Sequence, residues 1–253
     1  MGETPESAAR EARRKLALGE VGPVPDVLQR IESAAGVNVV VARLPEGGPA
    51  GAYVEERGVP FILVNGGDPL VRQRFTLVHE FGHHTLGHGD ILDATIAWTA
   101  TDSKEVDANQ FAAEFLVPVA GVDAWVEGRG VESFDLVELV RLANAFGVSC
   151  ETALWRAKAA RRIAPAAADR LKQRLDAREH HGLRAQLGLS EMMDSLSALR
   201  GRELRVPQRM TGNVLRALEF GLIDEERAAQ RLRLSVPALL AEIERQVADG
   251  DES

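Results

Sequence analysis

His79-Glu80-Phe81-Gly82-His83 is the stretch of this sequence that says most about its fold and chemistry. Each residue of a helix advances by about 100°, so histidines four residues apart lie one turn apart on the same face. Two such imidazoles can reach a single Zn²⁺, and the intervening glutamate then stands beside the open coordination position. A metal there lowers the pKa of a bound water, and Glu80 can take the proton as the water attacks a carbonyl. The motif therefore predicts a hydrolase.

The residues around the motif predict a helix with a buried side. Asp68 suits the N-cap and Pro69 the first helical position, while Gly87 or Gly89 can end the helix. A mid-helix glycine costs about 1 kcal/mol relative to alanine, so Gly82 predicts that another element passes close to the metal-bearing turn. The apolar positions expected to face the core are Leu70, Phe75, Leu77, Val78 and Phe81.

A hydrolytic zinc site needs a third protein ligand, and two more histidines lie close in sequence. On a helix His84 is rotated about 100° from His83, and His88 about 180° if the helix continues. The long zincin motif places its third histidine six residues after the second. Here the gap is five residues and the glycine comes one residue late. We therefore interpret His84 and His88 as helix-end histidines facing the negative pole of the helix dipole, in preference to ligands.

Glu105, in the next predicted helix at 104–118, is the better candidate for the third ligand. It shares a helical face with small residues that would let this helix pack close to the first. Glu105 would then point at the metal, with Asn109 one turn later as a hydrogen-bond partner for a ligating histidine. Asp107 is the other contender for the ligand. A carboxylate favoured by the positive end of the helix dipole is the alternative explanation of Glu105.

Two blocks of sequence resemble a known family. Residues 72–83, RQRFTLVHEFGH, and residues 105–118, EVDANQFAAEFLVP, resemble the ImmA/IrrE family of zinc metallopeptidases. The second block is similar to that family's E-x-x-A-N-x-F-A-A-E-L-L-M-P signature. Phe115 and Val117 replace its usual Leu and Met, and both exchanges are conservative. The resemblance extends over roughly residues 37–160 and fades beyond them.

The resemblance implies a site and a substrate class. It places zinc on His79, His83 and Glu105, with Glu80 as the general base. Zn²⁺ is the expected metal and Mn²⁺ the alternative. The implied substrates are helix-turn-helix repressors of the XRE type, whose cleavage inside the cell derepresses stress-response or mobile-element genes. This substrate class follows from the family alone and not from composition or spacing.

Composition indicates an ordinary soluble protein of the cytoplasm. The 253 residues, 45% hydrophobic and 27% charged, can build one sizeable core or two smaller ones. No apolar run approaches 18 residues and the first 14 are charged without an apolar signal core, so we expect neither membrane association nor secretion. The single cysteine, Cys150, excludes an internal disulfide and fits a reducing compartment. The net charge of −8 argues against a dedicated DNA-binding protein.

The expected fold class is α+β. A small zincin-like domain would combine a short three-stranded sheet with the motif helix and the ligand helix. A helical extension and a C-terminal all-α domain would follow. The strands are predicted at 37–44, 51–55 and 60–65, where β-branched and apolar residues are bounded by glycine and proline turns.

The chain is expected to divide into three parts. N-terminal helices occupy residues 1–36, and the metallopeptidase core occupies residues 37–162. A C-terminal helical domain follows at residues 166–253. Pro165, with its alanine-rich flanks, is the predicted hinge between the last two parts.

Residues 136–158, within the core, have the residue spacing that is typical of a helix-turn-helix. Ala143 would pack inside, Gly147 would make the turn, and Ser149 would cap the second helix. A fainter echo follows 86 residues later. Its positions corresponding to Ala143, Ser149 and Leu154 are Ala229, Ser235 and Leu240.

Direct DNA binding through this segment is the less favoured interpretation. It would turn Glu151, Thr152 and Arg156 toward a groove, and a glutamate early in a recognition helix works against that. Residues 156–178 are rich in arginine and lysine, which could steer an acidic partner, although a solvated helix face is the more frequent explanation of such a segment. Helix pairs that close a core or meet a protein partner are the preferred interpretation.

Two hypotheses of function follow. The first is a zinc endopeptidase that requires Glu80 and cuts a helix-turn-helix repressor. The second is a proteolytically silent regulator that binds a partner protein or DNA through its helical half and keeps a structural or vestigial metal site. Glu80 favours the first, because a structural site is usually closed by four protein ligands and needs no adjacent base. The sequence indicates no particular oligomeric state.

Overall fold

The structure is a computed structural model that describes residues 4–93, 102–189 and 204–250. It confirms the mixed α+β class, with a small sheet covered by helices. The strands are β1 (Asn38–Ala42), β2 (Gly51–Glu56), β3 (Val59–Asn65), β4 (Ile91–Asp93) and β5 (Leu204–Arg205).

Within the described residues the sheet has five strands, in the order β4-β2-β3-β1-β5, where the sequence predicts three. β1 runs parallel to β3, and every other neighbouring pair is antiparallel. The two unpredicted strands span only three and two residues, too few for the alternation of apolar and polar side chains to be recognised. Because β5 belongs to the C-terminal part, the expectation that this part is entirely helical is also wrong.

The helices follow the predicted order closely. α3 begins at Leu70, after Pro69 at the N-cap, and ends at Gly87, whose φ of 69° is left-handed. Asp102 caps α4 by accepting a hydrogen bond from the Lys104 amide at 2.8 Å. The helices are α1 (Pro5–Lys15), α2 (Val27–Ala34), α3 (Leu70–Leu86), α4 (Ser103–Leu116), α5 (Val119–Arg129), α6 (Leu136–Phe146), α7 (Cys150–Ala159), α8 (Pro165–Asp176), α9 (His180–Gln186), α10 (Gln208–Glu219), α11 (Glu225–Leu232) and α12 (Val236–Gly250).

α3 and α4 pack unusually close together, and Gly82 permits it. A Cβ atom at Gly82 would lie 3.0 Å from Cδ1 of Phe111 and 3.4 Å from Cα of Ala108. The first of these distances is tighter than ordinary van der Waals contact. The prediction that another element passes close to this turn is therefore confirmed, and the element is α4.

One large hydrophobic core joins the N-terminal helices to the sheet and to the helices that follow. It extends in sequence from Ala8 of α1 to Leu175 of α8. Pro165 is the first residue of α8, which packs into this core through Ala168, Leu171 and Leu175. The apolar core is therefore continuous across Pro165. The division of the chain into three parts stays a prediction.

The last helices enclose a second, smaller core, which is tied to the first through β5. Arg205 donates hydrogen bonds of 3.0 Å to the buried carboxylate of Glu32 and to the carbonyl of Val39. The Gln208 amide donates to the same carboxylate at 3.4 Å. The buried residues of the second core are Val214, Ala228, Ala229, Leu232 and Leu239.

The helix-turn-helix predicted at residues 136–158 is present as α6 and α7. Gly147 makes the turn with a φ of 65°, and Ser149 caps α7 by accepting from the Thr152 amide at 3.0 Å. In the later echo, Arg233 takes the left-handed turn position with a φ of 55°. The match of Leu240 to Leu154 is wrong: Leu240 is 42% exposed, because the neighbouring Leu239 faces the second core instead.

Among the described residues, no helix combines the length and the apolar content that crossing a bilayer requires.

Candidate metal centre

Three side chains from α3 and α4 converge on one point. His79 and His83 are fully buried, and their Nε2 atoms lie 3.0 Å apart. Glu105 approaches from the first turn of α4, with one carboxylate oxygen 3.2 Å from Nε2 of His79 and the other 3.3 Å from Nε2 of His83. The structure therefore assembles the three residues that the sequence proposed as ligands.

The spacing of these three residues fits a bound divalent cation. Ligand atoms about 2.0–2.1 Å from a tetrahedral zinc ion lie about 3.3 Å from one another, close to the 3.0–3.3 Å found here. Two imidazole nitrogens and a carboxylate also carry lone pairs that point at the same place. Lone pairs held so close repel one another, and a cation between them turns that repulsion into attraction.

Asn109 holds the first histidine in the orientation that a ligand requires. Its Oδ1 lies 3.1 Å from Nδ1 of His79, and its side chain is buried. An amide oxygen can only accept, so Nδ1 carries the hydrogen and Nε2 presents its lone pair to Glu105 and His83. The sequence predicts this role for Asn109 from its position one helical turn after Glu105.

Glu80 is fully buried between α3 and the sheet, and the sheet comes close to it at Gly51, the first residue of β2. A Cβ atom at Gly51 would lie 2.5 Å from Oε1 of Glu80 and 2.5 Å from Cγ2 of Thr76. Only a glycine leaves room for the carboxylate here. The sequence motifs do not identify Gly51 as part of the site, although a glycine in a predicted strand is a signal of close backbone approach.

The competing ligand candidates lie elsewhere. Within the part of the chain that the structure describes, His79, His83 and Glu105 form the only cluster able to hold a metal, and Asp107 is outside it. Nδ1 of His84 lies 2.9 Å from the hydroxyl of Tyr53, and burial lowers the pKa of His84. His88 contacts His83 on the ring edge away from the three converging atoms.

The residues required for DNA binding through α7 are largely inaccessible. Thr152 is 3% exposed and Arg156 is 7% exposed. Nε of Arg156 donates to the carbonyl of Val117 at 2.7 Å, and its guanidinium also pairs with the buried carboxylate of Glu114. These contacts fix Arg156 inside the core, so it cannot face a groove.

The basic segment at 156–178 is neutralised in part by neighbouring carboxylates. Arg162 pairs with Asp123 at 2.6 Å, and Arg174 pairs with Glu179 at 2.7 Å. Hydrogen bonding to Asp123 raises the pKa of Arg162. Exposed pairs of this kind are typical of a solvated helix face.

Comparison with known proteins identifies relatives of this chain. The family model described as the IrrE N-terminal-like domain, peptidase family M78, matches residues 32–158, which is half of the chain and contains the whole metal centre. The Radiation response metalloprotease IrrE of Deinococcus radiodurans is 33% identical over 156 residues. That match covers 59% of this chain and 45% of the relative, so the chain spans less than half of the relative's length.

Proposed function

Because this chain belongs to the ImmA/IrrE family of metallopeptidases, we propose that it is a zinc-dependent endopeptidase acting in the cytoplasm. The convergence of His79, His83 and Glu105 beside the buried Glu80 is the observation that carries the proposal. Structural zinc sites are closed by four protein ligands, whereas three converge here among the described residues. Three ligands with an adjacent carboxylate are typical of a hydrolytic site.

Each residue of the site has a separate task. His79, His83 and Glu105 would hold the metal, and two imidazole ligands favour Zn²⁺, with Mn²⁺ as the alternative. A bound Zn²⁺ supplies Lewis acidity, which lowers the pKa of water and polarises a peptide carbonyl. Glu80 accepts the proton of the attacking water at a carboxylate oxygen and then delivers it to the departing amide nitrogen.

The substrate we propose is a helix-turn-helix transcriptional repressor of the XRE type, whose cleavage derepresses stress-response or mobile-element genes. The family resemblance supports this substrate class. The position of β4 supports binding of an extended segment, because β4 is an edge strand of the described sheet and its Asp93 pairs with Gly51, which lies beside Glu80. A substrate strand can add to that edge through main-chain hydrogen bonds.

The test combines the purified protein with a purified helix-turn-helix repressor of the XRE type, in the presence of Zn²⁺ or Mn²⁺. We expect the wild type to make a single cut, identified by mass spectrometry. Glu80→Gln removes the base and keeps the side-chain volume, so cleavage should slow by at least about 100-fold. Metal binding should persist in Glu80→Gln, because none of the three proposed ligands changes.

Two results would contradict the proposal. Equal cleavage by the wild type and Glu80→Gln would assign the activity to a contaminant. Tight binding of the regulator without cleavage would favour the second hypothesis, a proteolytically silent regulator that binds a partner protein or DNA. The burial of Thr152 and Arg156 already disfavours DNA binding through α7.

A further inference from the structure

Each of the two metal-site histidines has a hydrogen-bond partner on the ring edge that faces away from the metal. For His79 this partner is Asn109. For His83 it is His88, whose Nδ1 lies 2.9 Å from Nδ1 of His83. The two rings meet edge to face, with their planes 66° apart and their centroids separated by 5.0 Å. Both imidazoles are therefore gripped at Nδ1 and directed with Nε2 inward.

The end of α3 explains how His88 reaches this position. The left-handed turn at Gly87 reverses the chain, and the His88 amide donates to the carbonyl of His83 at 3.1 Å. The reversal carries the His88 side chain back over the last turn of its own helix. A continued helix would have placed it about 180° away from His83, which is why the sequence pattern did not connect the two.

A second contact fixes His88 to the ligand helix. Nζ of Lys104 donates to the carbonyl of His88 at 2.7 Å. Lys104 immediately precedes Glu105 in the first turn of α4. The segment that bears His88 is thus tied at one side to the second histidine and at the other side to the residue next to the carboxylate ligand.

We propose that His88 is a positioning residue for the metal centre. Its Nδ1 accepts the Nδ1 hydrogen of His83, which fixes the His83 ring and leaves the lone pair of Nε2 for the metal. Nε2 of His83, and not Nδ1, is the atom that lies 3.0 Å from His79 and 3.3 Å from Glu105. His88 therefore stands behind the ligand ring and not within the ligand set.

This inference rests on the proposed metallopeptidase function but concerns metal affinity, which is measurable without any substrate. His88→Asn keeps an acceptor near the position of Nδ1, whereas His88→Phe keeps the ring size and removes the acceptor. The matched control is His84→Gln. His84 lies in the same turn of α3 as His83, but its ring contacts Tyr53 and not the metal-site histidines.

The experiment measures Zn²⁺ affinity by competition with a chelating dye and records the visible absorption of the Co²⁺ form. His88→Phe should weaken Zn²⁺ binding by about 10–100-fold and shift the Co²⁺ bands. His88→Asn should stay close to the wild type, and His84→Gln should match it. If His88→Phe fails to fold, the surface variant Lys104→Met should lower the affinity in the same direction, since it releases the His88 carbonyl.

Two outcomes would overturn the inference. Wild-type affinity and an unchanged Co²⁺ spectrum in His88→Phe would show that His88 does not position the ligand. An equally large loss in His88→Asn and His88→Phe, with the Co²⁺ bands of one fewer nitrogen ligand, would make His88 a ligand itself. A protein that binds metal normally but cuts no regulator would refute the proposed function and leave this inference standing.

Discussion

Gly51 is the residue at which the sheet limits the position of the Glu80 carboxylate. Replacing it with alanine would place a methyl group 2.5 Å from Oε1 of Glu80 and 3.0 Å from the backbone carbonyl of Leu63. The backbone cannot yield easily, so the Glu80 side chain must move. We expect Gly51→Ala to lower the cleavage rate at least about 10-fold and to destabilise the fold by about 1–3 kcal/mol.

Steady-state cleavage and thermal unfolding check this prediction together. Gly19→Ala is a suitable control, because no heavy atom lies within 4 Å of a Cβ at that position. The control should retain both activity and melting temperature. Wild-type activity in Gly51→Ala would show that the Glu80 carboxylate is free to move without loss.

At this scale the sequence predicts what one helix encodes and misses what tertiary structure brings together. The spacing of His79 and His83 places both on one face of α3 whatever the rest of the chain does. The choice of Glu105 over Asp107 depends on how α4 rotates against α3, which its small-residue face indicates. Gly51 reaches the site because β2 packs against α3, and His88 reaches it through a chain reversal; neither leaves a periodic signal.

At the scale of elements, the close packing of α3 and α4 sets the distance between the two histidines and Glu105. Gly82→Ala would gain about 1 kcal/mol of helix propensity but would push on Phe111. Phe111 is fully buried and packs against the rings of Phe81 and Phe115, so it has no room to withdraw. We expect a net destabilisation of about 1 kcal/mol and weaker metal binding.

Gly128→Ala, in α5, is the matched control for Gly82→Ala. Gly128 is also helical, and a Cβ there meets no heavy atom within 4 Å. It should stabilise the protein by up to about 1 kcal/mol in chemical denaturation, because the propensity gain is unopposed. Stabilisation by both substitutions would mean that α4 can move away from α3 without cost.

The elements themselves are predictable to different degrees. α3, α4, α6 and α7 each have a buried face and carry a side-chain N-cap, a glycine stop or both, so their sequences define them with only small shifts at the ends. β4 and β5 exist because neighbouring strands offer free hydrogen-bonding edges, and their own sequences carry almost no strand signal. Whether Leu239 or Leu240 faces the second core depends on how the last helices pack together, which the sequence pattern does not specify.

At the scale of the whole molecule, one buried ion pair joins the two hydrophobic cores. The Glu32 side chain is 4% exposed and that of Arg205 is 16% exposed. Arg205→Met would leave a buried carboxylate without its cation, which typically costs about 3–5 kcal/mol. We expect a marked fall in melting temperature, together with faster proteolysis of the helices after β5.

The double variant Glu32→Gln with Arg205→Met removes both charges and keeps an acceptor for the Val39 amide, which donates to Glu32 at 3.1 Å. Removing both partners should recover most of the lost stability, since no buried charge is then left uncompensated. Arg209→Met, at an exposed arginine nearby, is the control and should change little. A loss in the double variant as large as in Arg205→Met would contradict this prediction, because the uncompensated Glu32 carboxylate would then not be the cause of the loss.

The pairing of β5 with β1 also has a consequence for the order in which the protein is made. Val41 of β1 pairs with Arg205, which also donates to the carboxylate of Glu32. Both β1 and Glu32 therefore lack this partner until a segment more than 160 residues later has been synthesised. At about 5–20 residues per second the delay is roughly 10–30 s. During that time the nascent chain carries an open strand edge, the feature that promotes pairing with other chains. The C-terminal segment thus covers the open edge of β1. A chain truncated before residue 205 would keep that edge exposed and would be prone to aggregate.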